Sequence, residues 1–283
     1  MKSSVSKKEL SRRGEDIRRI GEALEAAAAL LRAGDCKALG ISQKTNGDPV
    51  TLTERLVDHL LRRLLLRNGE GWLSEETPDD LDRLAKRRVW IVDPLDGTRE
   101  FLAGIPEWCV SVALAEEGRA VAGGICNPVT QEFFLGSPET GLQLNGKRAP
   151  VQRRRELEGV VVLASRSEVS RGEWERFRNA SFVVRPMGSI AYKLAHVAAG
   201  LADATWTMTP KSEWDVAAGV ALVMSARGEV KTWGGVPPRF NRPVPRFDGL
   251  VAFRTGGCTV RKLLSKQLYD GTEGATQATE RVG

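Results

Sequence analysis

Residues 90–101 read WIVDPLDGTREF. Apolar residues run into Asp93, then come Pro94-Leu95 and Asp96-Gly97-Thr98. Residues 89–93 (VWIVD) spell a short buried strand. Pro94 has no N–H to give a ladder, so the strand is expected to stop there and turn. Gly97 lets the backbone come close to a ligand. A helical turn opening near Thr98 leaves its first amides without intrahelical partners, facing the same place. The stretch therefore gathers two carboxylates and a set of N–H groups at one strand end. Carboxylates suit a hard cation and amides suit an anion, and a phosphate bridged by magnesium satisfies both.

On the N-terminal side the pattern is helical. Ile17, Ile20, Leu24, Ala27, Ala28 and Leu31 recur at helical spacing within 7–33, with Gly34 as a stop. A polar loop with Lys44, Asn46, Gly47, Asp48 and Pro49 follows, and a second helix starts near Thr53. On the C-terminal side, 108–126 reads as a hairpin turning at Glu117-Gly118, and EFFLG and GLQLNG extend it as a meander. After Arg155 strands and helices alternate: strands at 160–165, 181–186 and in DATWTM, helices at 168–179, 189–199 and 214–227. That rhythm predicts an α/β half behind an α+β half. The expected division is 1–155, 156–260 and a polar, flexible tail at 261–283.

Composition narrows the function classes. No run of about 18 apolar residues occurs, so no membrane span is expected. The basic N-terminus lacks the apolar core of a secretory signal, which points to the cytoplasm. Cys36, Cys109, Cys126 and Cys258 are far apart and read as free thiols. His59 and His196 both fall in helical patterns, which argues against a histidine metal site or a Ser-His-Asp triad. The net charge of +6 comes without an aromatic-interleaved basic patch, so an anionic small molecule is a better partner than nucleic acid.

Three further acidic segments bear on the site: TLTE with Glu54 in the first turn of the second helix, LSEET with Glu75 and Glu76, and EWDVAAG with Asp215 opening a small-residue helix. Buried acids that converge repel one another unless a cation joins them. LSEET, DPLDGT and WDVAAG in that order resemble the inositol monophosphatase superfamily, the lithium-sensitive magnesium phosphatases, over roughly residues 15–235. The resemblance implies a mixed α and β fold, a layered αβαβα sandwich, often dimeric. It implies metal ligation by Glu75, Asp93, Asp96 and Asp215 and by the main-chain carbonyl of Leu95, with two or three Mg²⁺ per site. Gly97 and Thr98 resemble the phosphate cradle, and Thr98 the hydroxyl that helps orient the attacking water. Glu54 stands where the family usually has an aspartate paired with that threonine. Glu76 is expected to lie just behind the metal ligands.

For the substrate, SEWDVAAG, ASRSE (164–168) and GSIAYKLAHVAAG (188–200) resemble 3'(2'),5'-bisphosphate nucleotidases of the CysQ type. Gly188 and Ser189 would then approach the sugar, and Lys193 a second phosphate. Inositol-specific members carry a glutamate seven residues before the last metal aspartate, where this chain has Met208. The expected reaction is hydrolysis of adenosine 3',5'-bisphosphate to AMP and phosphate by a metal-activated water. Inositol-1-phosphate or a broad range of sugar phosphates, fructose 1,6-bisphosphate included, is the alternative. A phosphatase with an aspartate nucleophile in D-x-D-G-T fits less well, because two residues separate Asp93 from Asp96. An anion-binding or RNA-binding scaffold is the non-enzymatic alternative.

Overall fold

A computed structural model describes residues 6–33, 41–43, 49–149 and 159–255. Helix α1 (Lys7–Ala33) buries Ile20, Leu24, Ala27, Ala28 and Leu31 along one stripe. A two-stranded antiparallel ribbon, β1 (Ile41–Gln43) and β2 (Pro49–Thr51), leads into α2 (Leu52–Leu65). A seven-stranded sheet follows, built from β3 (Gly71–Ser74), β4 (Arg88–Asp96), β5 (Cys109–Glu116), β6 (Arg119–Asn127), β7 (Glu132–Ser137), β8 (Gly141–Leu144) and β9 (Lys147–Arg148) in chain order. Short helix α3 (Thr98–Ala103) lies between β4 and β5. Within this sheet, among the described residues, only the β3–β4 pair is parallel. The β5–β6 hairpin turns on Glu117 (φ 52°) and Gly118 (φ 75°), the positive-φ pair that matches strand twist.

A second sheet is assembled from β10 (Val161–Ser165), β11 (Val183–Met187), β12 (Ala204–Trp206), β14 (Glu229–Thr232) and β16 (Leu250–Phe253), in the order β11-β10-β12-β16-β14. Helix α4 (Arg166–Ser170) follows β10. Helices α5 (Ile190–Ala199) and α6 (Glu213–Ser225) lie between the two sheets, and the short pair β13 (Lys211–Ser212) and β15 (Arg246–Phe247) stands beside the start of α6. The layers are therefore α1/α2, the large sheet, α5/α6, the small sheet, and α4 with a 3-10 turn at Glu175–Phe177 outside. This is the αβαβα sandwich.

Two consecutive glycines set the layer spacing. A Cβ at Gly124 would stand 2.4 Å from Ile20 Cγ2, and one at Gly123 would stand 2.7 Å from the Ala218 carbonyl. Adjacent strand residues face opposite ways, so this pair lets α1 and α6 press on both faces of β6. Likewise a Cβ at Gly219 would meet Leu194 Cβ at 2.4 Å, so α5 and α6 cross closely.

Two local expectations are corrected. No single helix covers 168–179: α4 ends at Ser170, Gly172 turns the chain at φ 77°, and a 3-10 turn follows. The break lets Trp174 and Phe177 turn inward onto Trp206. Strand β4 does not stop at Pro94 but resumes pairing at Asp96. Cys109 and Cys126 are buried free thiols. Gly34, the loop residues 44–48, the expected boundary at 155/156, the tail 261–283, Cys36 and Cys258 lie outside the described residues. Among the described residues no helix is long and apolar enough to cross a membrane.

Candidate active site

The site begins where β3 and β4 run parallel. Ser74 pairs with Val92, and the Glu75 amide donates to the Val92 carbonyl at 3.4 Å, so Glu75 lies alongside Asp93. Three residue steps from Asp93 to Asp96 oppose only two on β5, from Ser111 to Cys109. In a regular strand, residues three apart point to opposite faces; the extra residue of this bulge brings both acids to the same side. Proline fits there because a bulge residue owes the ladder no N–H. The freed Leu95 amide donates to Asp93 Oδ1 at 2.9 Å.

Gly97 follows at φ 101°, and a Cβ there would stand 3.0 Å from Trp108 Cβ. Thr98 then opens α3 and donates its hydroxyl to Glu54 Oε1 at 2.8 Å. Glu54 is buried in the first turn of α2. Asp58, one turn further along α2, accepts from the hydroxyls of Ser74 (2.5 Å) and Thr77 (2.6 Å) and braces the Glu75-Glu76 loop.

The second half closes on these groups through the N-terminal ends of its two central helices. Asp96 Oδ2 accepts from the Ser189 hydroxyl and from the Ala191 amide, each at 2.6 Å. Ser189 also caps α5 by accepting from the Tyr192 amide at 3.0 Å. Asp215 is the third residue of α6 and accepts from the Ser212 amide at 2.8 Å in a capping box. The same carboxylate thus fixes the helix start and faces the cleft.

Glu75, Asp93, Leu95, Asp96, Gly97, Thr98, Gly188, Ser189, Lys193 and Asp215 all line one cleft of about 320 Å³. Glu54 reaches it through Thr98. Glu76 is half-buried and not among the cleft residues; its amide donates to Ser74 Oγ at 3.4 Å. Burial, then the charges of Glu75, Asp96 and Asp215, push the Asp93 carboxyl far above the usual carboxylate range. Burial and the charges of Asp96 and Glu75 push Asp215 up to about 8. No three acidic, histidine or cysteine side chains among the described residues form a ready-gathered metal group. What the cleft offers is an all-oxygen donor set of carboxylates and the Leu95 carbonyl whose mutual repulsion a hard divalent cation relieves. That set fits magnesium.

Sequence reasoning missed several lining groups. Lys211, Arg99 and Glu100 also border the cleft, as do Ser165, Ser167 and Ile190 from the segments at 164–168 and 188–200 already singled out. Lys211 could have been noticed four residues before Asp215. Glu107 gave no local signal: it accepts from Arg166 (2.5 Å) and from the Gly188 amide (2.8 Å), tying the two halves together at the rim. Lys193 is not an exposed helix lysine. It is 3% exposed and donates to the carbonyls of Met187 (3.2 Å) and Gly188 (3.5 Å). Burial lowers its pKa to about 8, against the opposing charge of Asp96.

Comparison with known proteins agrees with this geometry. The sequence profile of the inositol monophosphatase family matches residues 15–267. The chain belongs to that family. It is 37% identical over 226 residues to the inositol-1-monophosphatase of Mesorhizobium japonicum, covering 76% of this chain and 84% of that protein. It is 37% identical over 244 residues to the Nus factor SuhB of Xylella fastidiosa, covering 82% and 87%. Among solved structures, CysQ from Bacteroides thetaiotaomicron superposes with a TM-score of 0.72 at 25% identity, covering 85% of this chain and 97% of that one. Inositol monophosphatase family members are phosphatases that act on small phosphorylated substrates and typically depend on Mg²⁺.

Proposed function

We propose that this chain is a magnesium-dependent phosphomonoesterase that hydrolyses adenosine 3',5'-bisphosphate to AMP and phosphate. The observation that carries the reading is one cleft lined both by the acids Glu75, Asp93, Asp96 and Asp215 and by Lys193 and Lys211. The acids suit cations beside the scissile phosphate, and the lysines suit a second phosphate on the same substrate. Met208, with its sulfur taken by the Arg176 guanidinium at 2.7 Å, gives no carboxylate for the hydroxyls of an inositol ring.

Glu75, Asp93, Asp96, Asp215 and the Leu95 carbonyl would hold the metal. Bound magnesium supplies positive charge for the phosphoryl oxygens and lowers the pKa of water beside it. The residues do the rest by placement. Thr98 gives its proton to Glu54, so its lone pairs are left to accept from the attacking water and aim it. The first amides of α3, from Gly97 and Thr98 onward, border the cleft and can receive phosphate oxygens. Ser189 and Ala191 hold one oxygen of Asp96, leaving the other for a ligand.

Inositol-1-phosphate is the second reading, favoured by the 37% identity to an inositol-1-monophosphatase. Turnover with Mg²⁺ on adenosine 3',5'-bisphosphate, inositol-1-phosphate and fructose 1,6-bisphosphate, with and without Li⁺, decides between them. A kcat/KM highest for inositol-1-phosphate rejects the nucleotidase reading. Full activity in Asp96→Asn rejects the metal mechanism.

A further inference from the structure

The N-terminal ends of α5 and α6 face the acidic cleft. Their C-terminal ends meet at a separate cavity of about 280 Å³, bounded by the β7–β8 turn, Gly200, Ala226-Arg227 and the end of β16 at Arg254. With 13 residues in α6, the two sites lie roughly 18 Å apart along that helix. Three arginines line the cavity, the exposed Arg148 and Arg227 and the buried Arg254.

Their counter-charges are few. Glu139 is the acidic residue of the lining, and it already faces Arg13 Nε at 3.4 Å. Arg254 is buried, stands 3.3 Å from Asp203 Oδ1 and donates to the Gly200 carbonyl at 3.4 Å. Arg148 and Arg227 have no ion-pair partner among the described residues. The Arg148 guanidinium lies over Gly141, where a Cβ would stand 3.8 Å from its Nε and Nη2. The Ser225 hydroxyl is spent on the Leu222 carbonyl at 2.6 Å. The cavity therefore keeps an excess of positive charge.

Helix ends attract arginines through the dipole alone. Two features go beyond that. The cavity has Arg148, Arg227 and Arg254 in one lining against a single acid among the described residues, Glu139. Arg227 also adopts φ +61° just past the end of α6, in the left-handed position that helices usually give to glycine. Glycine would relieve that strain, so the arginine is held there at a cost in backbone energy.

We propose that this cavity binds a small multivalent oxyanion, inorganic phosphate or the phosphate group of a metabolite, between Arg148, Arg227 and Arg254. Charge-assisted, forked hydrogen bonds from several guanidinium groups are what such an anion selects.

The test is calorimetric titration of the full chain with inorganic phosphate in EDTA, at ionic strength held constant with chloride. Without divalent ions the carboxylates of the cleft repel phosphate, so any binding there is suppressed. One saturable site is expected, weakened at least tenfold by Arg148→Ala and by Arg227→Ala. Arg227→Gly is the decisive variant. It relieves the backbone strain, so the anion-free protein should melt at the same or a higher temperature while phosphate binding falls at least tenfold. A parallel titration with AMP separates the two sources: AMP binding tighter than phosphate assigns a phosphorylated metabolite, and phosphate alone assigns the free ion. No saturable phosphate or AMP binding by the unmodified chain, or undiminished binding by Arg227→Gly, overturns the proposal. None of these readouts uses turnover, so they stand apart from the phosphatase reading.

Discussion

The Ser189 hydroxyl touches the two functions of the site at once, and removing it should separate them. Its oxygen donates to Asp96 at 2.6 Å and accepts from the Tyr192 amide at 3.0 Å as the cap of α5. A hydrogen bond to a charged group contributes about 1.5–3 kcal/mol, and an N-cap about 1 kcal/mol. Ser189→Ala should therefore cost about 3 kcal/mol, or roughly 6–12 °C in Tm for a chain of this size. The Ala191 amide still holds Asp96, so the carboxylate is loosened rather than released. The Mg²⁺ concentration for half-maximal activity should rise about 10–100-fold, with kcat largely restored at saturating Mg²⁺. Ser189→Gly isolates the second effect. Residue 189 sits at φ 47°, which glycine adopts without strain, and glycine as a cap costs only a few tenths of a kcal/mol relative to serine. This variant still loses the hydrogen bond to Asp96 but little of the cap, so it should melt above Ser189→Ala, at most about 1.5–3 kcal/mol below the unmodified protein, and still need more Mg²⁺. The assays are thermal melting without metal and a Mg²⁺ titration of phosphatase activity. If Ser189→Gly leaves the Mg²⁺ requirement unchanged, Ser189 does not orient a metal ligand and the reasoning fails.

Thr98→Val keeps the shape of the side chain and removes the donor to Glu54; kcat should fall about 10²–10³-fold with substrate saturating, while Tm drops by about 3–12 °C. Gly188→Ala would set a Cβ 2.5 Å from Glu100 Cγ and Cδ and 2.7 Å from the Glu107 carbonyl, so the rim must move; a loss of about 1–3 kcal/mol and a raised KM are expected from melting and steady-state kinetics. Burial pushes the Glu132 carboxyl up, but the His196 ring and the hydroxyls of Tyr192 and Thr130 outweigh it and hold it down at about 2. A depressed carboxyl stabilises the fold above its unfolded pKa and loses that stabilisation as pH falls through the folded value. About 2–3 kcal/mol should therefore be present above pH 4.5 and be largely lost near pH 2. Urea melts of Glu132→Gln and the unmodified chain should converge as pH drops from 5 to 2.5, and a constant gap would refute the assignment.

Much of the molecule could be read from pattern because short-range rules fix it. The stripe of α1 and the Glu117-Gly118 turn are set by periodicity and turn chemistry within a few residues. The helix expected over 168–179 is broken locally at Gly172, and beyond the break Trp174 stacks on Trp206 while Phe177 meets it edge-on, contacts no local pattern announces. Within the site, Glu75, Asp93, Asp96 and Asp215 were legible because acids after apolar runs stand out. Their shared cleft was not legible from residues alone, since Glu75 and Asp93 meet through strand pairing and Asp215 arrives from the other half. Lys193 was expected at the cleft and lines it, but its burial was not legible, because a lone lysine in a helix gives no sign that the Met187 and Gly188 carbonyls accept from it. Glu107 and Asp58 brace the site through tertiary hydrogen bonds, and their neighbours in sequence carry no hint of it.

The bulge at Pro94-Leu95 makes the chemistry depend on a miscount. Deleting one residue there would give β4 a tidier ladder with β5 and keep both acids on one face, but it would return to the ladder the backbone that now lends its Leu95 amide to Asp93 and its Leu95 carbonyl to Thr98. Such a deletion could pass every check of foldedness and still be inert. In a library of shortened variants, this is where good expression and dead enzyme should coincide.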